Sequence, residues 1–290
     1  MFPLFPFFAL TFSLSPSPLP LPPQVHSRGQ TIHFDAPTTT TTIPSPTHQK
    51  FLNRMLPPDI QLSSLTVARS PDFHAITHAT EKLYTYRFAT ASSHDPFKRI
   101  YQTHVHHAVD LSALSSALAA FEGRRDFRAF AGQVEAKSRD MGVDCIDTVR
   151  TVRSVTLVSE GGGDYRIEVR LKGALYKMVR NMVGVALDVA RGRYDPGHVR
   201  RLLNVDAEGE PVSGKKAPTR SENPSKPAPP QGLCLESVEY DQEAYERSLR
   251  EYEMSVAMGV VGEGGAGGEV DGEGEEEEEE GEEEDEYIKR

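Results

Sequence analysis

The sequence predicts an α+β fold built on a mixed, largely antiparallel sheet that is flanked by helices. Residues 149–158 and 165–172 both have strand character and are joined by a glycine-rich turn, which is typical of an antiparallel hairpin. The second strand leads directly into an amphipathic helix that ends at Gly192. Because helices also separate other strand candidates along the chain, hairpins and crossovers are both expected within one sheet.

The stretch from Tyr165 to Gly192 is the most strongly patterned part of the chain. Polar and apolar side chains alternate through residues 165–172, as in a strand with one buried face. Beyond Gly173, apolar side chains recur three and four positions apart, which predicts a helix with one buried stripe. Docking of this stripe would give Arg180, on the opposite face, a defined direction. The other residues expected on that polar face are Lys177, Asn181, Gly184 and Asp188.

Seven further segments have the periodicity or the end signals of a strand or a helix. Pro57 and Pro58 end the first of these helices, and Asp110 can cap the second. Asp195 and Pro196 are typical of the first turn of the third. In chain order, the segments are a strand at 31–34, a helix at 47–55, a strand at 83–88, helices at 111–121 and 196–203, a strand at 233–240 and a helix at 241–254.

The chain divides by composition into three parts. Residues 1–23 contain seven prolines and no charged side chain, so we expect a disordered segment outside the domain and neither a signal nor a membrane helix. Residues 24–254 form the predicted domain, in which the Gly/Lys/Pro/Ser-rich insertion 205–231 is expected to be an exposed, disordered loop. Residues 255–290 form a Gly/Glu tail, which has too little apolar content to offset the entropy of ordering.

The net charge of −11 comes from the tail. Of the 43 acidic and 32 basic side chains, 15 and 2 lie in residues 262–290, which leaves 28 acidic and 30 basic in the rest of the chain. This balance is compatible with a nucleic-acid substrate. Cys145 and Cys234 form no metal or redox spacing, which favours a reducing intracellular compartment. The histidines of residues 104–107 lack companion ligands, so no metal is predicted.

Six segments, in a defined order, form a specific combination, although no single one would be specific. They are Gly29–Phe34, Leu52–Ile60, Phe73–Ala75, Lys82–Tyr86, Met178–Gly184 and Gly232–Tyr240. Over about residues 25–240 this combination resembles the TruA family of tRNA pseudouridine synthases.

The resemblance implies isomerisation of uridine to pseudouridine in tRNA, typically in the anticodon stem and loop, without cofactor or metal. In that family the target base leaves the stack, at a cost of a few kcal/mol. An aspartate then attacks the nucleoside, the glycosidic bond breaks, and the base turns and rejoins through carbon. An arginine keeps the aspartate ionised and oriented through a charge-assisted hydrogen bond. The implied partners are tRNA and a second copy of the chain, with no membrane.

The resemblance also assigns site residues by position. Arg180 matches the arginine that pairs with the catalytic aspartate, and Tyr84 matches the aromatic residue that stacks on the flipped uracil. His74 belongs to a segment that borders the family's cleft, while Lys177 and Asn181 adjoin Arg180 and are expected to bind substrate. Without the resemblance, Tyr84 would be interpreted as an ordinary strand tyrosine and Arg180 as a solvated arginine.

The chain departs from the family pattern at several positions. Ile76 replaces a usual arginine, and Tyr176 stands with its neighbour Lys177 where paired histidines are common. The family's nucleophile lies in Arg-Thr-Asp-x-Gly-Val-His, of which only Val25 and His26 are present, and Pro22 occupies the aspartate position.

This departure leaves two functions open. The first is an N-terminally incomplete tRNA pseudouridine synthase, whose native form carries the aspartate upstream of Val25 and whose present chain is inactive. The second is a noncatalytic tRNA-binding or RNA-chaperone protein derived from the same family. Both functions predict a cleft that binds RNA.

Overall fold

The computed structural model describes residues 7–14, 25–35, 46–67, 73–93, 95–134, 138, 146–212 and 214–241. All of these residues belong to one compact unit, residues 1–250. The predicted helix at 241–254 beyond Asp241, the acidic tail, Cys145 and Pro22 lie outside the described residues.

The described residues form four helices and nine strands. The helices are α1 (Pro46–Met55), α2 (Leu111–Ala119), α3 (Met178–Ala190) and α4 (His198–Leu203). The strands are β1 (Phe7–Leu14), β2 (His26–Asp35), β3 (Ile60–Val67), β4 (Ala79–Ala89), β5 (Thr103–His104), β6 (Gly123–Asp126), β7 (Val149–Gly161), β8 (Asp164–Leu171) and β9 (Leu233–Tyr240). Short 3-10 turns lie at Arg128–Phe130, Arg220–Glu222 and Pro230–Gly232.

One sheet organises the described part of the chain, with strand order β3-β1-β2-β9-β4-β8-β7-β6 and β5 beside β4. The β2·β9 and β4·β5 pairs are parallel, and the other pairs are antiparallel. This arrangement confirms the predicted α+β class with a mixed, largely antiparallel sheet. It also confirms the β7–β8 hairpin, which turns at Gly162 and Gly163 with positive φ angles of 63° and 86°.

The core lies between one face of the sheet and helices α2 and α3. Along β4, Tyr84, Tyr86 and Phe88 are buried on that face because their side chains point the same way at a spacing of two. Helix α3 begins at Met178 because Lys177 has a left-handed backbone, with φ 60°. The apolar stripe of α3 is buried as the sequence predicted.

The opposite face of α3 differs from the sequence expectation of a polar, accessible surface. Asn181 and Asp188 are 1% and 9% exposed, and Gly184 is also buried. The cause is close packing against other segments: Lys226 and Ala228 lie on Gly184, and Asn181 faces the turn Arg128–Phe130. A Cβ at Gly184 would lie 2.2 Å from the carbonyl oxygen of Lys226, so only glycine admits this close approach.

The prediction that the insertion 205–231 is an exposed, disordered loop is therefore wrong for its second half. Asn223 and Ser225 are 4% and 2% exposed, and Asn223 Nδ2 donates to the carbonyl oxygen of Ala129 at 2.9 Å. The segment is ordered because its backbone and amide groups find partners on α3 and on the turn Arg128–Phe130. Its low local hydrophobicity concealed these long-range contacts.

Strand β1 was not predicted either, because residues 1–23 were expected to lie outside the fold. Its backbone pairs with β2 from Phe7 opposite Asp35 onward, and with β3 on its other side. Without β1, the facing edges of β2 and β3 would have no backbone partner between them. Residues 7–14 contain no proline, so each of them can donate its backbone N–H to a neighbouring strand. The prolines that flank them cannot, because proline has no backbone N–H.

Helix α1 covers the outer edge of β3 through polar side chains. Asn53 Nδ2 donates to the carbonyl oxygen of Leu62 at 2.9 Å, and its Oδ1 accepts the N–H of Leu62 at 2.7 Å. Gln49 Nε2 donates to the carbonyl oxygen of Ser63 at 2.9 Å. By contrast, α1 buries no residue completely, and Phe51 is 60% exposed. Of the helices described, none has the length and apolarity needed to cross a membrane.

Candidate functional site

A cavity of about 210 Å³ lies where the first turn of α3 approaches β4 and β9. Its side chains come from four parts of the chain that are far apart in sequence. They are Val25, Gln30, Ile76, Lys82, Tyr84, Ala174, Leu175, Tyr176, Lys177, Met178, Val179, Arg180, Leu233 and Leu235. The sheet therefore supplies the floor, and the start of α3 supplies one wall.

Arg180 is the one residue of α3 that is not fully buried, and it is braced by backbone. Its Nε donates to the carbonyl oxygen of Ala228 at 2.7 Å, while the N–H of Ala228 donates to the carbonyl oxygen of Arg180 at 2.8 Å. Burial lowers the pKa of Arg180, although a guanidinium remains charged at neutral pH. Within the described residues no carboxylate forms an ion pair with it. Its terminal nitrogens are therefore available to an acidic group.

Tyr84 lines the cavity and is 8% exposed. Burial raises the pKa of its hydroxyl to about 12, so the ring is neutral at physiological pH. Tyr86, two residues on, is completely buried, and its hydroxyl donates to the carbonyl oxygen of Pro229 at 3.0 Å. Tyr86 thus holds the same segment that braces Arg180, which couples β4 to the position of the guanidinium.

The other predicted site residues lie in three different places. Lys177 lines the cavity, and its Nζ lies 5.1 Å from the ring centroid of Tyr176. His74 does not line the cavity, but its Nδ1 accepts the N–H of Ile76 at 3.2 Å, and Ile76 does line it. Asn181 points into the interior, where its Nδ2 donates to the carbonyl oxygen of Phe130 at 2.6 Å. The geometry therefore gives His74 and Asn181 supporting positions.

The cavity is electropositive. Lys82, Lys177 and Arg180 line it, and none of the described lining residues is acidic. The acids of β4 and β9 are engaged elsewhere: Glu81 pairs with Arg153 at 2.8 Å, and Glu236 pairs with Arg87 at 3.0 Å. An aromatic floor within a cationic wall is suited to a nucleotide, since rings stack on bases and cations attract phosphates.

Sequence reasoning missed two parts of this site. Lys82 could have been found, because it lies two residues before Tyr84 on a strand and must share its face. The brace at Ala228 has no local signal, since it is 48 residues from Arg180 and lies in a segment of loop composition. Among the described residues, no three His, Cys, Asp or Glu side chains come together as a metal site.

Comparison with known proteins identifies the class of this protein from its sequence. The sequence profile of a family described as tRNA pseudouridine synthase matches residues 117–241, which include α3 with Arg180 and β9. The fold is that of a pseudouridine synthase.

Individual relatives narrow the class. The tRNA pseudouridine synthase A of Leuconostoc citreum is 33% identical over 219 residues, which cover 75% of each chain. Those of Geobacter sulfurreducens and Pelobacter propionicus are 35% and 36% identical over 216 and 217 residues, which cover 74% of this chain and 78% of each relative. The chain belongs to the TruA family, the tRNA pseudouridine synthases A.

Proposed function

We propose that this protein is built as a tRNA uridine-to-pseudouridine isomerase whose target lies in the anticodon stem and loop, and that the 290-residue chain lacks the nucleophile of this reaction. The observation that carries the proposal is the cavity in which Tyr84 forms the floor and Arg180, braced by Ala228, forms the wall. A uracil turned out of the RNA stack would lie on the ring of Tyr84. The sugar would then face the guanidinium of Arg180.

The proposed chemistry needs few groups. An aspartate attacks the nucleoside, the bond between the sugar and uracil N1 breaks, and the freed uracil turns on Tyr84. A bond then forms between uracil C5 and the sugar as the bond between the aspartate and the sugar breaks. C5 loses its proton and N1, which kept the electron pair of the broken bond, gains one, so the product is an isomer of the substrate and the aspartate is regenerated. Arg180 keeps the carboxylate ionised and oriented through two parallel hydrogen bonds. The neutral ring of Tyr84 contributes about 1–3 kcal/mol of stacking.

The nucleophile is not among the described residues. By the resemblance, position 22 is that of the family's aspartate; it holds proline, which can neither attack nor pair with Arg180. We propose that the 290-residue chain binds tRNA but does not isomerise uridine. The competing function, a noncatalytic tRNA-binding or RNA-chaperone protein, shares the binding step alone. We further propose that the binding form is a homodimer, which sedimentation would test.

The experiment restores the motif within this chain. Changing residues 20–24 together, with Pro20→Arg, Leu21→Thr, Pro22→Asp, Pro23→Ala and Gln24→Gly, recreates the family sequence before Val25. Pseudouridine in bulk tRNA is then measured for the parent chain, the restored chain and a restored chain with asparagine at position 22. We expect product from the restored aspartate form alone. Product from the parent chain would refute the proposed inactivity, and failure of every form to bind tRNA would refute the function.

Tyr84→Ala is predicted to weaken tRNA binding by about 1–3 kcal/mol, because the base loses its stacking surface. Tyr84→Phe keeps the ring and is expected to bind like the parent chain. Tyr165→Ala is the matched control, since Tyr165 packs on Phe88, with ring centroids 5.4 Å apart, and does not line the cavity. Affinity and melting temperature are measured together. Equal binding by Tyr84→Ala and the parent would remove Tyr84 from the site.

A further inference from the structure

Lys82 is the cation of the cavity to which neither the sequence analysis nor the proposed function assigns a role. It lies on β4 two residues before Tyr84, so both side chains are on the same face of the sheet. Arg180 lies near Tyr86, at the other side of Tyr84 along the strand. Lys82, Tyr84 and the guanidinium of Arg180 therefore follow one another in the direction of β4, with the base-stacking ring of Tyr84 in the middle.

The surroundings of Lys82 are apolar. Its cross-strand neighbours are Leu171 on β8 and Val238 on β9. The adjacent acid, Glu81, points to the opposite face, where it pairs with Arg153 and Arg170. Burial lowers the pKa of the Lys82 ammonium, as expected for a charge that has lost water without gaining a counter-ion.

Lys82 also differs from the two other cations of the cavity. Arg180 is held by the carbonyl oxygen of Ala228, and Lys177 lies against the ring of Tyr176. Within the described part of the chain, the ammonium of Lys82 forms no hydrogen bond and no ion pair. A partly desolvated ammonium that opens into a cavity without acids is suited to an anion supplied by the ligand.

We propose that Lys82 binds a backbone phosphate of the RNA beside the nucleotide whose base stacks on Tyr84. This inference rests on the proposed function, since it takes RNA as the ligand. The phosphate would neutralise the ammonium in a site where water is scarce. Lys82 would thereby set how far the target nucleotide enters the cavity, while Tyr84 holds the base and Arg180 faces the sugar.

The test measures the salt dependence of tRNA binding by the full chain. Lys82→Met is the main variant, because an unbranched apolar side chain suits the space between Leu171 and Val238 and preserves the fold. Loss of one phosphate contact is expected to reduce the slope of log affinity against log salt by about 0.7. Lys82→Arg, which keeps the charge, should retain the parent slope. Lys50→Met on the exposed surface of α1 is the matched control and should also leave the slope unchanged.

A second arm uses stem-loop RNAs in which single phosphates are replaced by neutral methylphosphonates. One replacement beside the target uridine should weaken binding by the parent chain and have no further effect on Lys82→Met. The assignment of Lys82 is overturned if Lys82→Met keeps the parent's salt slope and loses as much affinity as the parent when the phosphate is replaced. In that case, tRNA binding by the parent chain would leave the proposed function standing. If the parent chain does not bind tRNA, the proposed function and this inference fall together.

Discussion

Helices α3 and α1 are held by different means. In α3, which packs on the face of the sheet, Met182 is 1% exposed, and every residue except Arg180 is buried. In α1, which lies at the β3 edge of the sheet, Met55 is 70% exposed, and the helix is held to β3 by amide hydrogen bonds from Asn53 and Gln49. Close packing therefore positions Arg180, whereas hydrogen bonds to one strand hold α1. Substitutions should therefore cost far more in α3 than in α1.

Met182→Ala against Met55→Ala is the most direct test of this difference, because the residue type is the same. Removal of the buried side chain of Met182 leaves a cavity in the core and is expected to lower the free energy of unfolding by about 2–5 kcal/mol. Met55→Ala should change it by less than about 0.5 kcal/mol. Urea unfolding of both variants measures the difference, and equal losses would show that α1 is packed as tightly as α3.

Gly184→Ala tests the contact between α3 and the segment 214–232. The added Cβ would lie 2.2 Å from the carbonyl oxygen of Lys226, so the segment must move away. We expect a loss of about 1–3 kcal/mol in unfolding free energy, despite the better helix propensity of alanine. Because the same segment braces Arg180 through Ala228, tRNA affinity should fall as well.

The control for this substitution is Gly173→Ala. A Cβ at Gly173 meets no atom within 4 Å, and no steric cost is expected. Unfolding free energy and tRNA affinity are measured for both variants. A stable Gly184→Ala protein with parent affinity would mean that the segment does not hold the guanidinium.

Asn53→Ala sharpens the comparison from the α1 side and should have the smallest effect of the three. It removes both hydrogen bonds to Leu62, each worth about 0.5–1.5 kcal/mol, and part of this loss is recovered by water. We expect a destabilisation of about 1 kcal/mol and more aggregation, because the edge of β3 becomes available to other strands. Lys50→Ala on the same helix is the control. Light scattering that does not distinguish the two variants would argue against edge protection by α1.

Several features of the site could be predicted from local pattern. The change from alternation to a three-and-four spacing near Gly173 located the strand, the helix and Arg180, because burial of one face imposes these periods. The spacing of two along β4 placed Tyr84 and Tyr86 on one face. The same spacing places Lys82 on that face, but only the strand pairing shows that its cross-strand neighbours are the apolar residues Leu171 and Val238.

The sequence by itself thus determined the fold class, the strand-to-helix unit and the family, because each depends on local periodicity or on ordered short motifs. Only the tertiary structure decided that β1 joins the sheet, that residues 226–228 pack on Gly184 and Arg180 of α3, and that Asn181 points inward. These outcomes depend on groups far apart in the chain, such as Arg180 and Ala228. A loop composition describes the segment's own residues, whereas its order comes from the buried backbone partners that another element provides.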